Sequence, residues 1–332
     1  MRINLGHSVI TVLNEHIYMS ERTLRQTPVD IRKVSEFLIL TFAISWGGVT
    51  VLYFVDVDIG SSAGQGIGTI VFMGAPAIAA ITLLGYRRAS IRKGIGLYRG
   101  RIRWILLAWI APVGLTAAMI GVGLALPGTT FTTEYSAFLL ELGFTEAEAV
   151  DTIAELEQTG VPVVVLLAGL GLVLGGTLFA LAALGEELGW RGLLLTELAP
   201  LGFWKLSLWT GLVWGIWHTP LILLGLQFPN QPVVGIFTMT VAIMALSPIY
   251  TYLTVRAQSV LAATFFHGSF ILGVFTSVFL VNGSELVISS FGVVGIVAAL
   301  FGIAACLVHD RLLADEQITT GGPLSPWSRT EA

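Results

Sequence analysis

Charge is what this 332-residue chain lacks: Asp, Glu, Lys and Arg together make up 11% of it, against 55% hydrophobic residues and a mean hydropathy of +0.84. Soluble domains carry charge on roughly a quarter of their residues, so a water-soluble fold is excluded. Cysteine is nearly missing too. Cys306 alone rules out a disulfide framework and any thiolate zinc site, which needs at least two cysteines at close spacing. No His-Glu-x-x-His segment occurs, so a metal, if bound, would not sit on the helix used by the familiar soluble metalloproteases. The net charge of -4 and the scatter of the bases give no basic face, which excludes a nucleic-acid partner.

What is there is apolar length. Stretches of about 20 residues, enough for a helix to cross the hydrocarbon core, run from Val34 to Val55, Gly66 to Tyr86, Trp104 to Leu126, Val161 to Leu184, Leu206 to Leu226, Val233 to Val255, Val260 to Val281 and Leu286 to Val308. Unpaired backbone is so costly in lipid that these segments are expected to be helices, with strands set aside. The expected fold is an all-α, polytopic membrane protein of eight spans. It divides into an N-terminal segment 1–33, a membrane-embedded domain 34–308 with a core at about 161–281, and a tail 309–332.

Orientation follows from the bases, because short basic loops resist translocation. Arg22, Arg25, Arg32 and Lys33 precede the first span, and Arg87, Arg88, Arg92, Lys93, Arg99, Arg101 and Arg103 crowd the loop after the second. With alternating crossings Lys205, Arg256 and Arg311 join them, while the opposite loops hold no Lys or Arg at all. Both termini are therefore expected to be cytoplasmic. The start is legible as either Met1 or Met19, no secretory signal pattern precedes the first span, and the Thr-, Gly-, Pro- and Ser-rich tail from Leu312 to Ala332 reads as disordered. The tail does not end in a prenylation box. The outer loop Pro127 to Gly160 carries seven acids and no base. Within it Thr145 and Glu148 form a capping box, and Val150, Ile153 and Leu156 mark one side of a surface helix.

Ionisable residues inside spans cost about 2.5–3.5 kcal/mol each on insertion scales and are functional candidates by default. The fourth span ends in Glu186-Glu187-Leu188-Gly189-Trp190-Arg191, the fifth contains Trp214 and His218, and the seventh contains Thr264 and His267. His218 lies 13 residues past Lys205 and His267 lies 11 past Arg256, so both imidazoles sit roughly 16–20 Å from the basic side, in one layer. Glu187 and Arg191, four apart, face the same way and can pair. Glu186, about 100° round the helix, is left to the histidines. Gly185 with Gly189, and Gly211 with Gly215, are small-xxx-small pairs that permit close helix approach.

A buried acid and two imidazoles support two chemistries. Glu186 can take a proton from a water held by His218 while His267 donates to an oxyanion. Alternatively Glu186, His218 and His267 can ligate zinc with a water in the fourth position, as in a metalloprotease. Residue types and spacing are equally compatible with both.

These segments resemble the CAAX protease and bacteriocin-processing family of intramembrane proteases, which includes the prenyl-protein endopeptidases. Its first motif, two glutamates and an arginine after three intervening residues, is matched by Glu186, Glu187 and Arg191. Its second, an aromatic four before a histidine, is matched by Trp214 and His218. Its third, a histidine four before an amide or acid, has His267 but Ile271 at the amide position. The resemblance implies an intramembrane endopeptidase in which Glu186 and His218 activate water and His267 binds the oxyanion, acting on a peptide or prenylated protein among membrane lipid. Ile271 cannot donate a hydrogen bond, and Thr264, on the same helical face as His267, is the candidate substitute. Two rivals remain at this point: a non-catalytic scaffold or bacteriocin self-immunity protein of the same family, and a proton-coupled transporter.

Overall fold

A computed structural model describes residues 28–57, 62–141 and 143–327. Arg22, Arg25 and the choice between Met1 and Met19 lie outside the described residues. The long apolar helices are α1 (Ile31–Phe54), α2 (Ser62–Tyr86), and, after the four-residue α3 (Ile91–Gly94), α4 (Ile102–Leu124). The acidic loop holds β1 (Thr130–Phe131), α5 (Ser136–Glu141) and α6 (Glu146–Gln158), and α7 (Val163–Gly176) and α8 (Leu178–Glu187) follow. A π-helical stretch (Leu188–Leu194) leads through α9 (Leu195–Leu198) and a 3-10 turn (Ala199–Leu201) into α10 (Phe203–Trp217) and α11 (Thr219–Leu223). Next come α12 (Pro232–Ala257), α13 (Val260–Ser269), a 3-10 turn (Phe270–Gly273), α14 (Val274–Phe279), β2 (Leu280–Val281), α15 (Glu285–Ile288) and α16 (Val293–Leu312). Among the described residues seven helical segments are long and apolar enough to cross a membrane, or eight if the bent pair α6 and α7 is one span. The chain is an all-α polytopic membrane protein.

The fourth crossing departs from the expected Val161 to Leu184. Helix α7 stops after fourteen residues, too few to span alone, and Thr177 takes φ -124° and ψ -89°. Close packing forces the break. A methyl group on Gly175 would lie 2.6 Å from Ser269 Cα, and one on Gly176 would lie 2.7 Å from Trp109 Nε1. The Trp109 indole donates to Leu172 O at 2.8 Å, satisfying a carbonyl in the last turn. Helix then resumes without interruption from Leu178 to Leu201.

The surface helix is present as α6 with both halves of the Thr145–Glu148 capping box formed, but its inner face differs. Val150 is exposed, while Ala149 is buried with Ile153 and Leu156 packed alongside. Positions 149, 153 and 156 lie within about 60° of one another around a helix, and Val150 lies outside that arc. A two-residue antiparallel ladder, Thr130 with Val281 and Phe131 with Leu280, is the exception to the expectation of no strands. It lies between helices, past the end of the seventh span, which stops at Phe279 rather than at the expected Val281, where the argument against open sheet edges does not apply.

The tail also differs from the expectation of disorder. As far as Trp327 it packs back across the basic end of the bundle. The Asp310 carboxylate, fully buried, pairs with Arg256 and accepts from Ile318 N, Thr319 N and Thr319 Oγ1. Leu324 N donates to Ala199 O at 2.9 Å, and Trp327 Nε1 donates to Thr196 Oγ1 at 3.0 Å. Composition was a poor guide here because one buried acid, three residues before the tail leaves α16, collects the tail's backbone donors. The same end carries the pairs Lys33–Glu197 at 2.6 Å and Arg87–Glu36 at 2.7 Å. Outside the spans, Asp30 caps α1 by accepting from Lys33 N, and that bond, with Arg87 and Lys33 nearby, holds its carboxyl below the usual value.

Candidate active site

The helix that bears the glutamates can approach its neighbours because of its glycines. A methyl group on Gly185 would lie 2.6 Å from Met73 O, and one on Gly189 would lie 2.5 Å from Pro76 Cβ, so this face lies against α2. Gly211 and Gly215 do the same on α12, with Met244 Cα and Thr240 Cα 2.7 and 2.6 Å away. Both small-xxx-small pairs are contact surfaces, as the spacing suggested. The π-helical stretch begins immediately after Glu187 and contains Arg191. Wide turns of this kind recur at functional sites.

Trp214 is the hub. Its Nε1 donates to Glu186 Oε2 at 2.7 Å. The His218 ring lies 5.8 Å from the indole and the His267 ring 5.5 Å, so the acid and both imidazoles are gathered around one side chain. The structure makes it the donor that orients Glu186.

Glu187 does more than neutralise Arg191. The guanidinium lies 3.2 Å from Glu187 Oε2, and Glu187 Oε1 sits 2.8 Å from His267 Nδ1. The second acid therefore serves a histidine as well, whereas spacing had left both histidines to Glu186. Glu186, Glu187 and Arg191 are 2%, 0% and 1% exposed, while the His267 side chain keeps 18% and His218 is half-buried.

Hydrogen-bond partners settle where the ring protons lie. A carbonyl oxygen only accepts, so His218 Nδ1, 2.8 Å from Trp214 O, carries its proton and leaves Nε2 as an acceptor. His267 Nδ1 faces a carboxylate and likewise carries a proton. Its Nε2 can donate only when the ring is an imidazolium, whose charge the adjoining Glu187 would balance. His218 occupies the junction between α10 and α11, and Phe72 and Trp217 flank its ring at 6.2 and 5.0 Å.

Tyr250 is the residue that sequence reading missed. The Arg191 guanidinium lies 4.2 Å from the centroids of both Trp214 and Tyr250, a cation held between two aromatic faces. Tyr250 also meets the His267 ring at 5.9 Å. The signal available was a hydroxyl on an intramembrane helix, which is too common to single out. Thr264, the suggested substitute donor, gives its hydroxyl proton to Val260 O at 3.2 Å. It bonds its own helix, so the arrangement does not make it a replacement for the amide. Ile271 falls in the 3-10 turn after α13. As a zinc site the set does not fit: among the described residues no group of three His, Cys, Asp or Glu side chains is placed to hold a metal ion. Glu186 turns to an indole and His267 to the other glutamate.

Residues 168–273, which include every residue of that site, match the family described as type II CAAX prenyl endopeptidase Rce1-like. Over these residues the chain is similar to this CAAX protease family. No curated protein matches it. The family is one of proteases, acting on peptide or protein substrates in a membrane setting.

Proposed function

We propose that the protein is an intramembrane endopeptidase of the CAAX-processing type, with Glu186 and His218 activating water and His267 supporting the oxyanion. The observation that carries this reading is the single indole that binds the Glu186 carboxylate and is flanked by both imidazoles. Water held by the unprotonated Nε2 of His218 attacks the peptide carbonyl and gives its proton to Glu186. The carbonyl oxygen gains the negative charge and is met by Nε2–H of a His267 imidazolium. As the C–N bond breaks, Glu186 returns the proton to the departing amine, so that it leaves neutral. Glu187 and Arg191 keep His267 aimed. With the basic loops cytoplasmic, as their Lys and Arg content favours, cleavage occurs toward that face of the membrane.

Cleavage of a membrane-inserted peptide by purified protein tests this. Glu186→Gln and His218→Ala should each abolish it without loss of fold, and cleavage unchanged in both would refute it. One observation favours a second reading: Ile271 stands where the family carries a donor, as it would in a member that binds a peptide without cutting it. In that case the wild-type chain retains peptide and no product forms.

A further inference from the structure

His218 stands where one helix gives way to the next. It ends α10 and opens α11, and Leu221 N and Ile222 N both donate to its carbonyl oxygen, at 3.0 and 3.3 Å. The carbonyl of Trp217, one residue earlier, receives neither bond, and a helix-end carbonyl away from water needs another donor. Trp46 of α1 provides it: its Nε1–H donates to Trp217 O at 3.0 Å. The preceding residue of α1 holds the side chain of the same tryptophan. Trp217 Nε1 donates to Ser45 Oγ at 2.8 Å, and the Ser45 hydroxyl donates in turn to Thr41 O at 2.8 Å. Ser45 and Trp217 are fully buried, so water does not compete for these bonds. Trp217 is the wall of the imidazole. The two rings meet edge to face, centroids 5.0 Å apart and planes at 81°, and the indole is stacked on Phe72 of α2 at 3.9 Å. The bond from Nδ1 to Trp214 O fixes one corner of the His218 ring, and the contact with Trp217 fixes its tilt.

We infer that Ser45 and Trp46 of α1 are positioning residues for His218: they hold Trp217 by its side chain and by its backbone, and so keep Nε2 aimed at the water. Both lie outside residues 168–273, over which the family is matched, so the working unit takes in a helix from beyond that segment. The inference rests on the reading of His218 as the residue that holds the water. It assigns α1 a part in the reaction through Trp217, in addition to its packing.

The test is steady-state hydrolysis of a membrane-inserted peptide by the full chain, with melting temperatures taken in the same detergent. Ser45→Ala and Trp46→Phe should each lower kcat about tenfold or more with KM nearly unchanged, since misplacing a reacting group by about 1 Å costs up to about 100-fold while substrate binding is untouched. The two should then part company in a Trp217→Phe background. With the indole N–H gone, Ser45→Ala should cost nothing further, whereas Trp46→Phe should still lower kcat, because the Trp217 carbonyl it serves belongs to the backbone. A packing role alone would lower the melting temperature of the variants without that selectivity. Wild-type kcat in both single variants, or the same loss from Ser45→Ala with and without the Trp217 indole, would overturn the inference while leaving His218 in its place. An uncleaved peptide with the wild type, or undiminished cleavage by His218→Ala, would overturn it together with the reading of His218.

Discussion

The two adjacent glutamates should answer oppositely to loss of charge, although both are buried. In Glu187→Gln the Arg191 guanidinium, 1% exposed, loses its carboxylate at 3.2 Å, and His267 loses a charged acceptor at 2.8 Å. Removing one partner of a buried ion pair typically costs about 3–5 kcal/mol, because the remaining charge stays buried. The Trp214 and Tyr250 faces at 4.2 Å stack on the guanidinium with or without the carboxylate, so they cancel from the difference. A loss of about 3–5 kcal/mol corresponds to a fall in melting temperature of roughly 4–7 °C for a chain of this size. In Glu186→Gln the amide oxygen can still accept from Trp214 Nε1, and the cost of burying a charge disappears. That variant should melt at or above the wild-type temperature while losing all cleavage. The assay is thermal unfolding of both variants in one detergent, beside peptide hydrolysis. Equal destabilisation by the two substitutions, or none by Glu187→Gln, would refute the division of labour between them.

Trp214→Phe keeps an aromatic face for Arg191 but removes the donor to Glu186. Turnover should fall about tenfold or more with little change in KM, the loss of a charge-assisted hydrogen bond being about 1.5–3 kcal/mol. Ile271→Asn restores an amide four residues after His267, and an oxyanion donor is worth about 100- to 1,000-fold in turnover; steady-state kinetics should show a rise, and an unchanged rate would mean that the donor is supplied elsewhere. Asp310→Asn breaks the Arg256 pair and loosens the anchor for Ile318 and Thr319, so limited proteolysis should cut between residues 313 and 327 well before the wild-type tail is cut. The Asp30 cap should respond to pH. Its carboxyl is held below the ordinary value, chiefly by the Lys33 N–H, so its contribution is present above the unfolded carboxylate's pKa and disappears as pH falls through the lowered one. Amide exchange at Lys33 should quicken over that interval, and a flat profile would count against the cap.

The sequence by itself determined that this chain crosses the membrane many times as helices, because runs of some twenty apolar residues leave the backbone no other way to satisfy its hydrogen bonds in lipid. It also singled out Glu186, Glu187, Arg191, His218 and His267, since charge inside a span is too costly to be incidental, and helical phase paired Glu187 with Arg191 correctly. Only the tertiary structure decided the rest. The break at Thr177 arises where Gly175 and Gly176 meet Ser269 and Trp109, contacts between segments more than sixty residues apart that no local pattern encodes. Glu186 meets Trp214, and Glu187 meets His267, for the same reason: phase on one helix says which way a side chain points, but the neighbour it finds depends on how three helices cross. The tail, whose composition argued for disorder, is held by the buried Asp310 carboxylate and by bonds to Ala199 and Thr196, because a few specific hydrogen bonds outweigh an average over residue types.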